Sequence, residues 1–242
     1  IRLRVTDSRG LFVEETLEVD IVRTAIREAN ISGLSWQRVT ETEGNFDGVA
    51  AFAMDSAGTV FTHNYMDLVR RSTDDGDTWT DILRDVECCG DMATREAGEL
   101  YLASPAGLYF SGDNGDNWAL FDGDAFLGVA VSPDQNYVVA ATQRALKRFD
   151  TTGRLIEVHR LEGNFNDVDA CAGGSRSALT NRLGQLFIND RRDMHPDGWR
   201  IPADRFAKNS GLSSVSFDSA CNLYQGVWNG YRILKADNSI VP

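Results

Sequence analysis

Glu43-Gly44-Asn45-Phe46-Asp47-Gly48-Val49 returns later in the chain as Glu162-Gly163-Asn164-Phe165-Asn166-Asp167-Val168. A looser copy lies between them, Gly123-Asp124-Ala125-Phe126-Leu127-Gly128-Val129. A degenerate one follows at Gly211-Leu212-Ser213-Ser214-Val215, and a further unit opens near Cys89-Gly90-Asp91-Met92. The units start near residues 49, 92, 129, 168 and 215. A spacing of about 40 residues is that of one repeated supersecondary unit.

Working outward from those starts, each unit reads in one order. A short apolar or alternating run comes first, as in Val49 to Met54 or Leu127 to Val131. A turn rich in Asp, Ser, Gly or Pro follows, such as Asp55-Ser56-Ala57-Gly58 or Asp218-Ser219-Ala220-Cys221-Asn222. Such residues reverse the chain through local side-chain hydrogen bonds and positive φ. A second strand comes next (Glu99 to Leu102, Tyr137 to Ala140), then a hairpin, a third strand, and a fourth opening at Trp79, Trp118 or Trp199. Strands of about 4–6 residues with no amphipathic helix argue all-β. Five units of four strands argue a β-propeller of about five four-stranded blades rather than a sandwich.

Ring closure is the remaining question of architecture. The last unit, from Val215 to about Lys235, supplies three strands, while Trp36-Gln37-Arg38-Val39 reads as a fourth strand with no partners of its own. The favoured expectation is that this N-terminal strand completes the last blade, because an open ring would expose unpaired edges. The competing one gives the fourth place to Ser239-Ile240-Val241. On this reading residues 36–242 form the propeller and 23–35 a linker or short helix.

Two segments carry the most specific signal: Ser72-Thr73-Asp74-Asp75-Gly76-Asp77-Thr78-Trp79 and Ser111-Gly112-Asp113-Asn114-Gly115-Asp116-Asn117-Trp118. They fall at equivalent points of consecutive units and resemble the Asp-box (BNR) repeat of sialidases, sortilin-type receptors, certain glucanases and photosystem-assembly propellers. The resemblance implies a structural hairpin on the face away from any ligand, with Ser72, Asp74, Gly76, Trp79, Ser111, Asp113, Gly115 and Trp118 as fold-forming residues. An Asp can accept backbone N–H groups within the turn, Gly supplies the φ, and Trp can pack between blades. The acidic spacing also raises a calcium loop, but the Glu that closes an EF-hand loop is absent. No cofactor or metal is expected, with Ca²⁺ on the acidic loops left open.

The N-terminal stretch Leu3 to Leu11, followed by Glu15 to Val22, reads as two alternating strands around a Gly turn. It resembles the closing hairpin of cadherin-like or Ig-type extracellular domains. About twenty residues cannot form a core alone. Residues 1–22 are therefore expected to be the tail of an upstream domain, or a hairpin that docks on the propeller or a neighbouring subunit. Ile1 is read as a processed or trimmed start.

Composition narrows the partners. The net charge is −12, with 36 Asp and Glu against 24 Lys and Arg. Such a surface disfavours nucleic acid and anionic membranes, and the sequence holds no concentrated basic run. No apolar stretch approaches the roughly 18 residues a membrane helix needs, so no membrane insertion is expected. Cys88, Cys89, Cys171 and Cys221 fit no zinc spacing. Disulfides and buried free thiols both remain open, with an adjacent Cys88–Cys89 bridge the least favoured pairing.

Catalytic signatures are sparse. Trp199-Arg200-Ile201-Pro202 matches the Arg-Ile-Pro motif of sialidases but follows both Asp boxes, where that family places it before them. The histidines His63, His159 and His195 are scattered, and no nucleophile elbow, P-loop or dinucleotide fingerprint occurs. The expectation is a non-catalytic binding or structural module of an exported surface, adhesin-like or filament protein, extracellular or in the cell envelope, with a protein or glycan ligand. A glycoside hydrolase with unidentified carboxylates and an assembly factor within a larger complex are the alternatives. The binding face should lie opposite the Asp boxes, on loops that carry Asp47, His63, Tyr65, Asp67, Asp122, Asp124 and Phe126.

Overall fold

The computed structural model describes residues 5–6, 12–13, 48–96, 98–132, 134, 136–161, 163–171, 176–190, 199–200, 214–218, 220–227, 230–236 and 240–241. In chain order the strands are β1 (Val5–Thr6), β2 (Phe12–Val13), β3 (Val49–Met54), β4 (Val60–Asn64), β5 (Leu68–Ser72) and β6 (Thr80–Arg84). There follow β7 (Met92–Thr94), β8 (Leu100–Ser104), β9 (Gly107–Ser111), β10 (Ala119–Asp122), β11 (Phe126–Val131), β12 (Tyr137–Thr142), β13 (Ala145–Asp150) and β14 (Leu155–Arg160). The last are β15 (Phe165–Ala170), β16 (Ser177–Asn181), β17 (Leu186–Asn189), β18 (Trp199–Arg200), β19 (Ser214–Phe217), β20 (Leu223–Val227), β21 (Gly230–Leu234) and β22 (Ile240–Val241). From β3 onward these form five four-stranded antiparallel sheets, each from consecutive strands.

Burial follows strand order within a sheet. The second strands β4, β8, β12 and β16 are buried along their whole length, while the fourth strands β6, β10 and β14 are at least half exposed. The alternation of side chains along a strand then divides each second strand between two neighbours. Leu100 and Leu102 join Phe61 and Val69 of the first sheet, whereas Tyr101 and Ala103 join Phe126 and Val138 of the third. Tyr137 and Val139 pack with Phe165 and Leu179, and Ala178 and Ile188 with Val215 and Leu223. Four apolar seams thus join five sheets in sequence. The sheets are the blades of an all-β propeller.

The fourth place on the last sheet belongs to Ile240–Val241, which pairs with Ile233 and Leu234. This corrects the favoured expectation of an N-terminal latch: a short strand following β21 takes the fourth place by pairing locally with its sequence neighbour. Trp36 to Val39 lies outside the described residues, as does the 23–32 segment. Near the N-terminus, Val5 pairs with Val13 and Thr6 with Phe12. The strand expected at Glu15 to Val22 lies outside the described residues.

The hairpins β5–β6 and β9–β10 make one hydrogen-bond pattern twice. Gly76 N–H donates to Ser72 Oγ (2.8 Å), Thr78 N–H to Asp74 Oδ1 (2.9 Å) and Trp79 Nε1–H to the Gly76 carbonyl (3.0 Å). The counterparts are Gly115 to Ser111 (2.8 Å), Asn117 to Asp113 (2.8 Å) and Trp118 to Gly115 (2.9 Å). Bonds from Thr78 and Asn117 hold the Asp74 and Asp113 carboxyls below the usual carboxylate range. Trp118 packs against the seam between the first two sheets, and Arg71 donates to the Asn114 carbonyl (2.7 Å) of the neighbouring hairpin.

Candidate functional site

Antiparallel order puts the starts of the innermost strands and the second-to-third-strand hairpins at one end of every sheet. The Ser72–Trp79 and Ser111–Trp118 hairpins lie at the other. At the first end opens an axial pocket of about 660 Å³, to which all five sheets contribute, among others through Ala50, Asp91, Leu127, Asp167 and Ser214. Tyr65, 58% exposed, and Arg182 reach it from hairpins.

An innermost strand has no neighbour on its axial side, so its outward N–H groups need other acceptors. Asp91 and Asp167 provide them. Val129 N–H donates to Asp91 Oδ2 (3.3 Å) and Val215 N–H to Asp167 Oδ2 (2.8 Å), each from one sheet to the next. Two residues further on, Phe217 N–H donates to Asp169 Oδ2 (2.7 Å). The second oxygen of each carboxylate takes the N–H of the following residue, Met92, Val168 or Ala170.

Strand register shows where this device recurs. Ala51 pairs with His63, Gly128 with Ala141, Asp167 with Thr180 and Ser214 with Gly226, the first three just after a bulge. With Asp91, whose carbonyl accepts Ala103 N–H (2.8 Å), the axial position therefore reads Ala51, Asp91, Gly128, Asp167, Ser214. Acids alternate with small residues. A Cβ on Gly128 would lie 2.9 Å from the Asp167 backbone, so the small residue leaves room for the next sheet. This register also shifts the first repeat: Val49, not Phe46, stands at the place of Phe126 and Phe165.

Burial governs the electrostatics here. It pushes the Asp91 carboxyl up to about 6, opposed by its two N–H donors and reinforced by the charge of Asp169. Burial also raises Asp167 well above the usual range, with Asp91 as a repelling neighbour, and raises Asp169. Among the described residues, no group of three or more His, Cys, Asp or Glu is placed to hold a metal.

A second opening of about 900 Å³ adjoins the axial one between the third and fourth sheets, and Arg182 lines both. Arg144, Arg160, Leu161, Asn164 and Leu183 contribute to it.

The residues expected on the binding face divide. Tyr65 is at the axial mouth. Asp67 (φ 55°) accepts Cys88 N–H (2.7 Å) and so anchors the neighbouring loop. Asp122 and Asp124 both pair with Lys147 Nζ (2.6 and 2.7 Å). Two expectations are corrected. His63 is fully buried in β4, its Nε2 3.0 Å from the Val86 carbonyl, and burial pushes its pKa down. Phe126 is fully buried as well, edge-on to Phe149, because β11 begins at that residue and turns it into the seam. Asp47 lies outside the described residues.

The cysteines form two disulfides, Cys88–Cys89 and Cys171–Cys221. The adjacent pairing, least favoured from sequence, is accommodated by a left-handed backbone at Cys89 (φ 79°) beside the axial mouth. The second bridge joins the fourth and fifth sheets, where Arg176 also donates to the Cys221 (3.1 Å) and Lys235 (3.0 Å) carbonyls.

Sequence reasoning named Asp91 and Asp167 as repeat members without giving them a site, and it missed Asp169, Arg144, Arg160 and Arg182. The aspartates had a signal, since each precedes the apolar residue that opens a unit. The arginines had none. They are far apart in sequence, and hairpin geometry alone gathers them.

No protein-family model matches the chain, and no curated protein sequence does. Among solved structures, the chain is similar to one in a crystal structure of the nidogen/laminin complex, with TM-score 0.65 and 13% identity over 81% of this chain and 80% of that one. It is also similar to YCF48 bound to D1 peptide, with TM-score 0.56 and 14% identity over 81% of this chain and 66% of that one. At such identities the likeness establishes the propeller-like fold.

Proposed function

We propose that this chain is a non-catalytic binding module of an exported protein, taking a protein partner on the face opposite the Ser72–Trp79 and Ser111–Trp118 hairpins. The observation that carries the reading is the pair of adjoining openings there, the axial one built from all five sheets. Rigid sheets that present variable loops around one concavity are suited to recognition. The similar chains belong to a nidogen/laminin complex and to a YCF48–D1 peptide complex, which supports a polypeptide partner and keeps an assembly role in view. Two disulfides support an oxidising, extracellular or envelope location. The cadherin-like N-terminal hairpin suits a longer surface or filament protein.

A second reading has one observation in its favour. Asp91 and Asp167, two carboxylates raised by burial, line the axial mouth where a glycoside hydrolase would hold its acid and base. Both oxygens of each are engaged by backbone N–H groups, which favours the structural role.

Arrays of defined peptides and defined glycans test the proposal. Peptide binding that is weakened by Tyr65→Glu at the mouth is the expected result. Binding to glycans alone overturns the protein reading. Polysaccharide hydrolysis lost in both Asp91→Asn and Asp167→Asn establishes the enzyme instead.

A further inference from the structure

We infer that the cleft between the third and fourth sheets is a docking site for an acidic peptide segment, anchored by Arg144, Arg160 and Arg182. This deepens the binding-module reading and rests on it.

The chain carries 36 acidic residues against 24 basic ones. Arg70, Arg71, Arg84, Arg95, Arg154 and Arg176 each form an ion pair. The three arginines of this cleft are exposed, and none forms an ion pair among the described residues. In so acidic a protein, three arginines around one concavity that form no ion pair among the described residues are a specific arrangement.

Their backbones are fixed. Arg144 N–H donates to Thr142 Oγ1 (3.2 Å), and the Arg144 carbonyl accepts Leu161 N–H (3.0 Å), which ties its hairpin to the end of β14 beside Arg160. Arg182 N–H donates to the Asn164 carbonyl (3.0 Å), in a hairpin held by Asn181 Oδ1, which accepts Leu183 N–H (3.0 Å) and Gln185 N–H (2.9 Å). Guanidinium groups on anchored backbones are suited to bidentate carboxylate recognition. The remaining surface repels an acidic segment, so the charge pattern that attracts it here also sets its position.

Two features favour a peptide over an acidic glycan. Leu161 and Leu183, the latter 57% exposed, stand beside the arginines and offer contact to aliphatic side chains. Among the described residues, no aromatic ring lines the cleft to stack on a sugar.

The test is fluorescence anisotropy with a labelled octapeptide of alternating Glu and Leu, its Gln-for-Glu counterpart, and a sulfated hexasaccharide. The Glu peptide should bind, with affinity falling as salt rises, and the Gln peptide at least about tenfold more weakly. Arg144→Gln and Arg182→Gln should each weaken the Glu peptide by about tenfold. Arg154→Gln, in a hairpin at the opposite end and paired with Asp150, should leave it unchanged. Equal binding of the two peptides, or no binding of the Glu peptide below millimolar concentration, overturns the inference. So does tighter, Arg144-dependent binding of the hexasaccharide. Full affinity in both arginine variants removes this cleft but leaves the module reading intact, because the peptide is then held elsewhere. The array experiment above tests that broader reading independently.

Discussion

The Asp167 carboxylate and the Val215 backbone N–H meet at 2.8 Å across the boundary of the fourth and fifth sheets. The bond gives a free strand edge an acceptor where no further strand can supply one. Asp167→Ala should leave that N–H without its partner and cost about 1–3 kcal/mol in urea unfolding. Asp167→Asn removes the buried charge and keeps one acceptor oxygen, enough for one of the Val215 and Val168 N–H groups. It should cost clearly less than Asp167→Ala at pH 7. Equal destabilisation by both would show that the bond is not what matters at this position.

Asp91 predicts a pH dependence with an unusual sign for a carboxylate. Its folded-state pKa of about 6 lies above the ordinary value, so the folded state holds the proton more tightly than the unfolded one. The associated stability is complete below about pH 4 and is lost as pH rises through 6, a difference of about 3 kcal/mol by pH 7. Asp74 and Asp113 act oppositely, losing their contribution as pH falls below the usual carboxylate range. The comparison of Asp91→Asn with the parent isolates the first effect: melting curves should favour the variant increasingly between pH 4 and 7. A constant offset across that range would contradict it.

Gly90 and Gly58 separate two reasons for glycine. A Cβ at Gly90 would lie 1.9 Å from the Ala103 carbonyl oxygen, a backbone atom fixed in β8. At Gly58 (φ 86°) nothing lies within 4 Å, and only the left-handed backbone resists a side chain. Gly58→Ala should cost about 1–2 kcal/mol, and Gly90→Ala clearly more, because the innermost strand must shift. Thermal melts of the two variants give the order directly.

The Cys171–Cys221 bridge closes a loop with a sequence separation of 50. Chain-entropy reasoning assigns such a loop about 4 kcal/mol, acting through the unfolded state. Reductant and the Cys171→Ala/Cys221→Ala pair should lower the melting temperature by similar amounts. The Cys88–Cys89 bridge closes almost no chain, so Cys88→Ala/Cys89→Ala should have a much smaller effect on stability.

Much of the fold was legible in the sequence because the repeat expresses a simple physical need. Each sheet requires a buried second strand, and runs such as Leu100 to Ala103 and Tyr137 to Ala141 state it plainly. The hairpins at Ser72 and Ser111 were legible for a related reason, since local hydrogen bonds depend on local sequence. The first repeat was misplaced by three residues because Phe46 and Val49 both suit the start of an inner strand, and only pairing with β4 decides between them. The buried state of His63 and Phe126 was missed because loop and strand boundaries, rather than residue type, set exposure there. The cleft arginines were invisible for a deeper reason: their proximity belongs to two sheets at once and has no imprint in either segment alone.

That every sheet is a contiguous stretch of chain has a kinetic consequence. Pairing within a sheet closes only short loops, so hairpins can form early and independently, and the slow events are the encounters of finished sheets. Each sheet can then act as a template for its successor, and assembly can begin anywhere along the chain and spread in both directions.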